Sequence, residues 1–330
     1  MSVLVARDGG LYCGAGDFTV DPAQPVRRAV ITHAHADHAY GGSDEYHCSA
    51  EGAELTRLRI GDEGAVIPHA WGERFRLGDA VVSLHPAGHI RGSAQVRVEV
   101  DGEVWVVSGD YKRHDDPTCT PFEVVPCDVF VTEATFALPV FRWEHPRSVV
   151  EQILDWWASN RAAGRCSMLF CYSLGKAQRL LAELADEAFE PVYLHGALER
   201  LTSIYRAQGV VMAPTRGATI DAPPRSFAGQ LVLAPPSASR STWMKRFARA
   251  ETAFASGWMR IRGIRRGRGW DRGFVLSDHV DWPGIIETVQ QTGARRVLVT
   301  HGRSDVLVRY LGERGVDAAA LETAYGDEDD

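Results

Sequence analysis

The sequence of 330 residues lacks several features that mark specialised classes of protein. It has no run of about 18 consecutive apolar residues, which a membrane-spanning helix requires. Its six cysteines include no CxxC pair, so neither a disulfide framework nor a zinc knuckle is indicated. The GxxxxGK[ST] pattern of an ATP-binding loop is also missing. These absences argue against a helical membrane protein, a disulfide-bonded domain and a P-loop nucleotide hydrolase.

The first residues, MSVLVARDGG, lack the apolar stretch of a signal peptide, because Arg7 and Asp8 interrupt it. We therefore expect a cytoplasmic protein with reduced cysteines. The composition, 45% apolar and 24% charged, is that of an ordinary globular protein. A chain of this length exceeds the usual size of one core, so we expect two domains or one domain with a large insertion.

Charge is distributed unevenly along the chain. The net charge is −7, but residues 240–272 contain ten Lys or Arg against two acidic residues, which leaves −15 for the rest. Such asymmetry favours one surface that binds a polyanion, although a solvated basic face is the alternative. The last five residues, GDEDD, are expected to form a short acidic tail.

Four apolar segments in the first 135 residues each end in a polar residue. RAVITHAH leads into a histidine-rich loop, AVVSLHPAGH ends at His89, EVWVVSGDYK reaches Asp110, and DVFVTEATF reaches Glu133. Strands that deliver polar side chains past their carboxyl ends build a site along one edge of a layered α/β fold.

The pattern changes from about Pro146 and returns near the C-terminus. SVVEQILDWWASNRAAG has apolar residues at helical spacing, SMLFCYS predicts a buried strand, and GKAQRLLAELADEAF predicts a second helix. This alternation predicts a small parallel sheet with its own helices. GFVLSDHVDW and RRVLVTHGRSD then resume the early pattern and end at His279 and His301.

The run ITHAHADHAYGG, residues 31–42, holds four potential metal ligands within six residues. Histidines two apart on extended backbone point the same way, so His33 and His35 can bind one ion. Asp37 and His38 follow and face a different point, so two ions are favoured over one. The later strand ends offer His89, Asp110 and His301, and the Asp110 carboxylate can bridge. Two ions about 3.5–4 Å apart with a hydroxide between them hydrolyse phosphodiesters.

The HxHxDH sequence after an apolar strand resembles the metallo-β-lactamase family, and PAGHIRGSAQ and SGDYK resemble its next two motifs in order. The resemblance implies an αββα sandwich with the site at one edge. It implies that one zinc is held by His33, His35 and His89, the other by Asp37, His38 and His301, with Asp110 between them. Manganese would tolerate the same ligands.

VTEATF, VLSDHVDW and VLVTHG resemble the extra motifs of the β-CASP nucleases, which implies roles for Glu133, His279 and His301. The implied organisation is an N-terminal metallo-β-lactamase part over 1–146, an inserted β-CASP cap over 147–270 and a C-terminal part over 271–330. GDFTVDP, YSLGKAQR, SGWM and RGFVLSDHVDWP further resemble the bacterial DNA-ligase-associated exonucleases, which are encoded beside a ligase and a helicase.

The resemblance implies hydrolysis by the bridging hydroxide, with Asp37 as both ligand and catalytic residue. His279 is the candidate phosphate contact or proton donor, and Glu133 would orient its ring. Asp17 is expected to anchor the histidine loop, with Asp21 as the alternative. Nucleic-acid contacts are expected at basic and aromatic residues of the middle segment: Lys176, Arg240, Trp243, Lys245, Arg246, Arg262, Arg265, Arg266 and Arg268.

The leading hypothesis is a two-metal DNA exonuclease in repair that acts on single-stranded DNA. The second hypothesis is an RNA nuclease that resembles ribonuclease J or the mRNA 3′-end-processing endonuclease, since His301 is the form associated with RNA-type members. A small-ester metallohydrolase is the third hypothesis, and a non-enzymatic scaffold is the fourth. Ester hydrolases need no basic cap, and a scaffold with a decayed site would lack ligands.

Overall fold

A computed structural model describes residues 2–7, 9–219, 227–247, 249–261, 263, 269–300, 302 and 304–321. The chain forms two compact units: unit 1 comprises Met1–Arg142 with His279–Asp329, and unit 2 comprises Trp143–Asp278. The sequence-based domain limits of 146/147 and 270/271 stay a prediction. The acidic tail lies outside the described residues, as do Arg262, Arg265, Arg266, Arg268 and His301.

Unit 1 contains two sheets. The first has six strands in sequential order: β1 (Val5–Arg7), β2 (Gly10–Cys13), β3 (Phe18–Val20), β4 (Arg28–Val30), β5 (Glu45–Ser49) and β6 (Ala65–His69). The second has the order β19-β18-β11-β10-β9-β8-β7, with strands β7 (Phe75–Leu77), β8 (Ala80–Pro86), β9 (Ala94–Val100), β10 (Glu103–Val107), β11 (Val129–Glu133), β18 (Arg296–Thr300) and β19 (Asp317–Ala320). Strands of 3–7 residues with buried apolar side chains are typical of layered folds.

The two sheets of unit 1 pack face to face, and helices cover their outer faces. Phe18 and Val30 of the first sheet share one buried cluster with Val82 and Val96 of the second. Helix α1 (Ala53–Ile60) packs on the outer face of the first sheet. Helices α5 (Trp282–Thr292) and α6 (Ser304–Gly312) pack on the outer face of the second sheet. Each apolar face is thereby removed from water.

Unit 2 is built on one parallel sheet with the order β14-β13-β15-β12-β16-β17. Its strands are β12 (Ser167–Phe170), β13 (Val192–Leu194), β14 (Thr215–Gly217), β15 (Leu231–Ala234), β16 (Glu251–Ala255) and β17 (Arg272–Phe274). Helices α2 (Pro146–Ala162), α3 (Lys176–Glu183) and α4 (Gly196–Ala207) lie in the described part of unit 2, where 3-10 turns span Pro236–Arg240, Thr242–Arg246 and Gly257–Arg260. Strands β12 and β15 are buried along their whole length, as expected for the middle of a parallel sheet. The α/β class predicted from the sequence is confirmed.

Parallel strands of the second sheet bring polar residues to one edge. β10, β11 and β18 run parallel, with Val107 beside Val131 and Glu133 beside Thr300. Their carboxyl ends therefore lie together, and the positions of Asp110 and Glu133 follow from this arrangement. Gly109 has a φ of 54°, and a Cβ there would lie 2.7 Å from the Thr32 side chain, so glycine permits the close approach of the histidine loop.

The structure contains no described helix with the length and apolar character that crossing a bilayer would demand.

A buried histidine pair lies in the first sheet of unit 1. His47 Nδ1 is 2.9 Å from His69 Nε2, and the His69 ring stacks on Phe75 with a centroid distance of 3.5 Å. Burial lowers the pKa of both histidines, and the charge of His69 lowers that of His47 further, against the opposing effects of Glu45 and Glu73. The folded protein therefore favours the neutral pair.

The pair should make the protein sensitive to acid. Because the folded-state pKa values lie below the unfolded value near 6.5, the unfolded state binds more protons below pH 6.5, and stability falls there by up to about 1.4 kcal/mol per pH unit for each histidine. In calorimetry, the melting temperature of a His69→Gln variant should fall less than that of the wild type when the pH is lowered from 7.5 to 5.5. Between pH 7.5 and 9 the difference in melting temperature between the two proteins should stay constant. A fall in melting temperature on acidification that is as large in the variant as in the wild type would contradict this account.

Candidate metal centre

The histidine loop is held by backbone hydrogen bonds on both sides. The Ile31 amide donates to the His47 carbonyl over 2.8 Å, and the Ala94 amide donates to the Thr32 carbonyl over the same distance. The amides of His38 and Ala39 donate to the His35 carbonyl, which closes a turn. The loop thus leaves β4 in a fixed conformation that directs its side chains to one place.

Four residues from three segments of unit 1 converge on one point. Ligand atoms of His33, His35, His89 and Asp110 all lie within 4.8 Å of one another. His33 Nε2 and His89 Nε2 are 3.0 and 3.2 Å from His35 Nδ1, and an Asp110 oxygen is 3.4 Å from His33 Nε2. Three imidazoles and a carboxylate are a preferred ligand set for zinc and related ions. The residues therefore fit a divalent cation.

A second group of ligand atoms lies beside the first. His38 Nε2 is 3.5 Å from an Asp37 oxygen and 3.5 Å from an Asp110 oxygen. Asp110 thus contacts His33, His38 and His89, as a bridging carboxylate would. The seventh ligand suggested by the sequence, His301, lies outside the described residues.

Two of the buried histidines beside Asp110, His33 and His38, differ in their electrostatics. Burial and the neighbouring imidazoles hold the pKa of His33 well below 6.5. Burial also opposes a charge on His38, but the nearby carboxylates, Asp110 first and Asp21 next, raise its pKa to about 10. The carboxylates therefore favour positive charge at this point, which a metal ion would supply in place of the proton.

Asp21 anchors the histidine loop. Its carboxylate accepts hydrogen bonds from the Thr32 amide over 2.7 Å and from the Thr32 hydroxyl over 2.6 Å, and one oxygen is 2.8 Å from His38 Nδ1. Asp17, the residue expected in this role, instead accepts bonds from Arg27 and Tyr12 at the surface. The expectation for Asp17 is thus corrected in favour of Asp21, because Asp21 directly follows β3 next to β4, from which the loop leaves.

Glu133 and His279 form a buried pair next to Asp110. Glu133 Oε1 accepts a hydrogen bond from the Tyr111 amide over 2.8 Å, and Oε2 is 2.9 Å from His279 Nδ1. Ligand atoms of Asp110, Glu133 and His279 lie within 4.8 Å of one another. Because a carboxylate accepts, Nδ1 is the ring nitrogen of His279 that donates to Glu133.

Three contacts at the site were missed by the sequence interpretation. Lys112 donates to Asp116 over 2.5 Å and to the carbonyl of His89 over 3.3 Å, and it is almost wholly buried. Arg59 Nε donates to the Ala34 carbonyl over 3.1 Å. In the sequence, only the position of Lys112 directly after GDY could have indicated such a role.

Lys176 does not reach the surface of unit 2, contrary to the sequence expectation. Its ammonium is 2.8 Å from Asp278 and donates to the Leu276 carbonyl, and Arg179 pairs with the same carboxylate over 2.9 Å. The side chains of both cations are almost completely buried. Lys176 is thus an internal ion-pair partner and not a contact for a nucleic acid in this structure.

Arg240, Lys245 and Arg246, the other described basic residues expected to contact nucleic acid, lie in two 3-10 turns of unit 2 together with Trp243. Arg240 and Lys245 are exposed. Trp243 is half-buried, donates to the Ala218 carbonyl and packs edge-on against His195. Arg246 donates to the carbonyls of Trp243 and Thr219, so part of its guanidinium is used within unit 2.

Several known proteins are similar to this chain in sequence, although no protein-family model matches it. The chain is 32% identical over 316 residues to a "Probable DNA ligase" of Opitutus terrae, which covers 94% of this chain and 30% of that protein. It is 26% identical to "RNase aCSPSF2" of Saccharolobus solfataricus over 54% of this chain and 42% of that one. It is 23% identical to an "RNase J-like protein" of Methanocaldococcus jannaschii over 61% of this chain and 55% of that one.

The chain thus spans between 30% and 55% of the length of these curated relatives. A crystal structure of a protein of unknown function from Enterococcus faecalis matches 82% of this chain and 74% of its own with a TM-score of 0.57. At 12% identity that match shows the fold alone. The similarity in sequence to the relatives above identifies the chain as a member of the metallo-β-lactamase/β-CASP family.

Proposed function

We propose that this chain hydrolyses phosphodiester bonds in single-stranded DNA, as a two-metal exonuclease that acts in DNA repair. The observation that carries the proposal is the convergence of His33, His35, His89 and Asp110, with Glu133 and His279 beside them. Phosphodiester hydrolysis requires charge neutralisation, an activated water and a proton for the leaving oxygen, and this set of side chains can provide for all three.

Two divalent cations, zinc by the ligand set, would supply the activated water and neutralise the phosphate. His33, His35 and His89 would hold one, while Asp37, His38 and His301 would hold the other, with Asp110 shared. Asp37 would also orient the reacting groups. Asp21 keeps His38 in its orientation through Nδ1, as carboxylates commonly do for metal-binding histidines.

His279 provides the proton for the departing oxygen or a contact to the phosphate. Glu133 holds the ring through Nδ1, and the Tyr111 amide holds Glu133 in turn. Glu133 is therefore a positioning residue. The chain of contacts from backbone to carboxylate to imidazole allows little freedom in where the proton is delivered.

The two units would have different roles, with the chemical step in unit 1 and binding of the strand in unit 2. We assign unit 1 as the αββα sandwich and unit 2 as the β-CASP cap. Arg240, Trp243 and Lys245 of unit 2 could hold a strand through phosphate contacts and base stacking, as could the basic residues outside the described part. The protein would act in the same repair process as a DNA ligase and a helicase.

An RNA nuclease is the second candidate function, since it would use the same chemistry. The relative named a DNA ligase covers most of this chain, which supports DNA, whereas two other relatives are named RNases. Neither set of names assigns a substrate to this chain.

Digestion of matched oligonucleotides tests the proposal. Single-stranded DNA and RNA of one sequence, each labelled separately at the 5′ and the 3′ end, are incubated with the protein and zinc or manganese. We expect DNA to be shortened stepwise from one end at least about tenfold faster than RNA, and chelation by EDTA to stop the reaction.

RNA cleavage faster than DNA cleavage would overturn the choice of polymer. Thioester or lactam hydrolysis far faster than any nucleic-acid cleavage would overturn the nuclease itself. Products of internal cleavage at the earliest times would replace the exonuclease by an endonuclease.

A further inference from the structure

An arginine of unit 1 is attached to the histidine loop from a neighbouring helix. Arg59 lies in the last turn of α1, and its Nε donates to the carbonyl of Ala34 over 3.1 Å. Ala34 separates His33 and His35, two of the converging ligands. The guanidinium is therefore held beside the candidate metal centre, although the side chain itself is exposed.

Arg59 has unused hydrogen-bonding capacity. A guanidinium has five N–H donors, and the bond to Ala34 uses one of them. Within the described part of unit 1, Arg59 makes no ion pair with a carboxylate. This differs from Arg28 and Arg113, each of which pairs with a glutamate.

The positive charge of Arg59 lies beside a site whose residues fit cations. A cation beside a site that binds cations is unfavourable by itself, because like charges at short distance repel. The arrangement becomes favourable when an anion lies between them. Arginine suits a phosphate group well, because its planar fork can donate two parallel hydrogen bonds to two oxygens.

We propose that Arg59 binds a backbone phosphate of the substrate strand at the entrance to the metal centre. The proposal rests on the nucleic-acid substrate of the proposed function, but it concerns binding and not the chemical step. Arg59 would hold the strand next to His35 while the ligands of the metals stay in place.

A matched control is present on the same helix. Arg57 is also exposed and makes no ion pair with any described carboxylate, but it has no hydrogen bond to the described part of the histidine loop. The variants Arg59→Gln, Arg59→Lys and Arg57→Gln therefore separate a specific contact from a general loss of positive charge.

Three measurements test the proposal on the full-length protein. Steady-state cleavage of a single-stranded DNA oligonucleotide gives kcat and KM at several salt concentrations. Fluorescence anisotropy gives the Kd of the labelled oligonucleotide for EDTA-treated protein. Elemental analysis gives the zinc content after reconstitution.

For Arg59→Gln we expect KM and Kd to rise about tenfold, with kcat changed less than about twofold. The salt dependence of log Kd should weaken by about 0.7, the value for one phosphate contact on a single strand. Arg59→Lys should recover part of the affinity, Arg57→Gln should resemble the wild type, and zinc content should be equal in all four proteins.

Equal effects of Arg59→Gln and Arg57→Gln would overturn the proposal, because general charge would then explain them. Loss of zinc in Arg59→Gln would also overturn it, since Arg59 would then only support the loop. If the wild type bound the oligonucleotide through Arg59 without cleaving DNA or RNA, the proposed function would fail while this inference stood.

Discussion

Replacing Asp110 with asparagine should lower the rate of DNA hydrolysis by about 10³-fold or more. Asp110 is almost completely buried, and its Oδ2 lies between 3.4 and 3.8 Å from ring nitrogens of His33, His38 and His89. Removing its charge leaves both groups of ligands without their shared anion. A loss of about 4 kcal/mol of transition-state stabilisation corresponds to a factor of about 10³.

The metal content should report the cause of this loss. We expect Asp110→Asn to bind fewer than two metal ions per chain by elemental analysis, while its melting temperature in EDTA stays near that of EDTA-treated wild type. Asp115→Asn is the matched control, because Asp115 is exposed five residues further on and carries the same chemical change. An Asp110→Asn protein with full metal content and wild-type turnover would show that the reaction does not use this centre.

Replacing His279 with asparagine should lower kcat by about 10² to 10⁴, the range for loss of a general acid or base. KM should change little, because the imidazole acts on the leaving oxygen and the metal ligands remain. Glu133→Gln should have a smaller effect, about tenfold, since it weakens the orientation of His279 and leaves the ring present. Both variants should keep the wild-type metal content.

The alkaline limb of the pH–rate profile distinguishes proton transfer from a structural role, because a proton donor acts only in its protonated form. If His279 donates a proton, the His279→Asn profile should lose the alkaline limb that the wild type and Glu133→Gln both show. His85→Asn is the matched control, because His85 also contacts a carboxylate, Glu123, through Nδ1 but belongs to neither ligand group. An unchanged profile in His279→Asn would limit His279 to phosphate binding.

The sequence predicts those parts of the site that depend on single strands. His33, His35, His89, Asp110 and Glu133 each follow an apolar segment whose alternation indicates a strand, and the end of a strand fixes where the next side chain lies. The α/β class follows from the same patterns. The class is confirmed, and the structure brings ligand atoms of His33, His35, His89 and Asp110 within 4.8 Å of one another, because the information for both is local.

The parts that the sequence does not predict depend on residues distant in the chain. Lys176 is buried because Asp278, about 100 residues later, supplies its counter-charge. The choice between Asp17 and Asp21 depends on which end of β3 faces the loop after β4. Arg59 is connected to Ala34 only through the packing of α1, and no local pattern indicates that contact.

The order of strands in the second sheet has a consequence for synthesis of the chain. β11 pairs with β10 on one side and with β18 on the other, and β18 is made only after the whole of unit 2. On the ribosome, the Val129–Glu133 segment therefore has an open hydrogen-bonding edge until residues 296–300 emerge. Such edges pair readily with other chains, so truncated products that end within unit 2 should aggregate through β11.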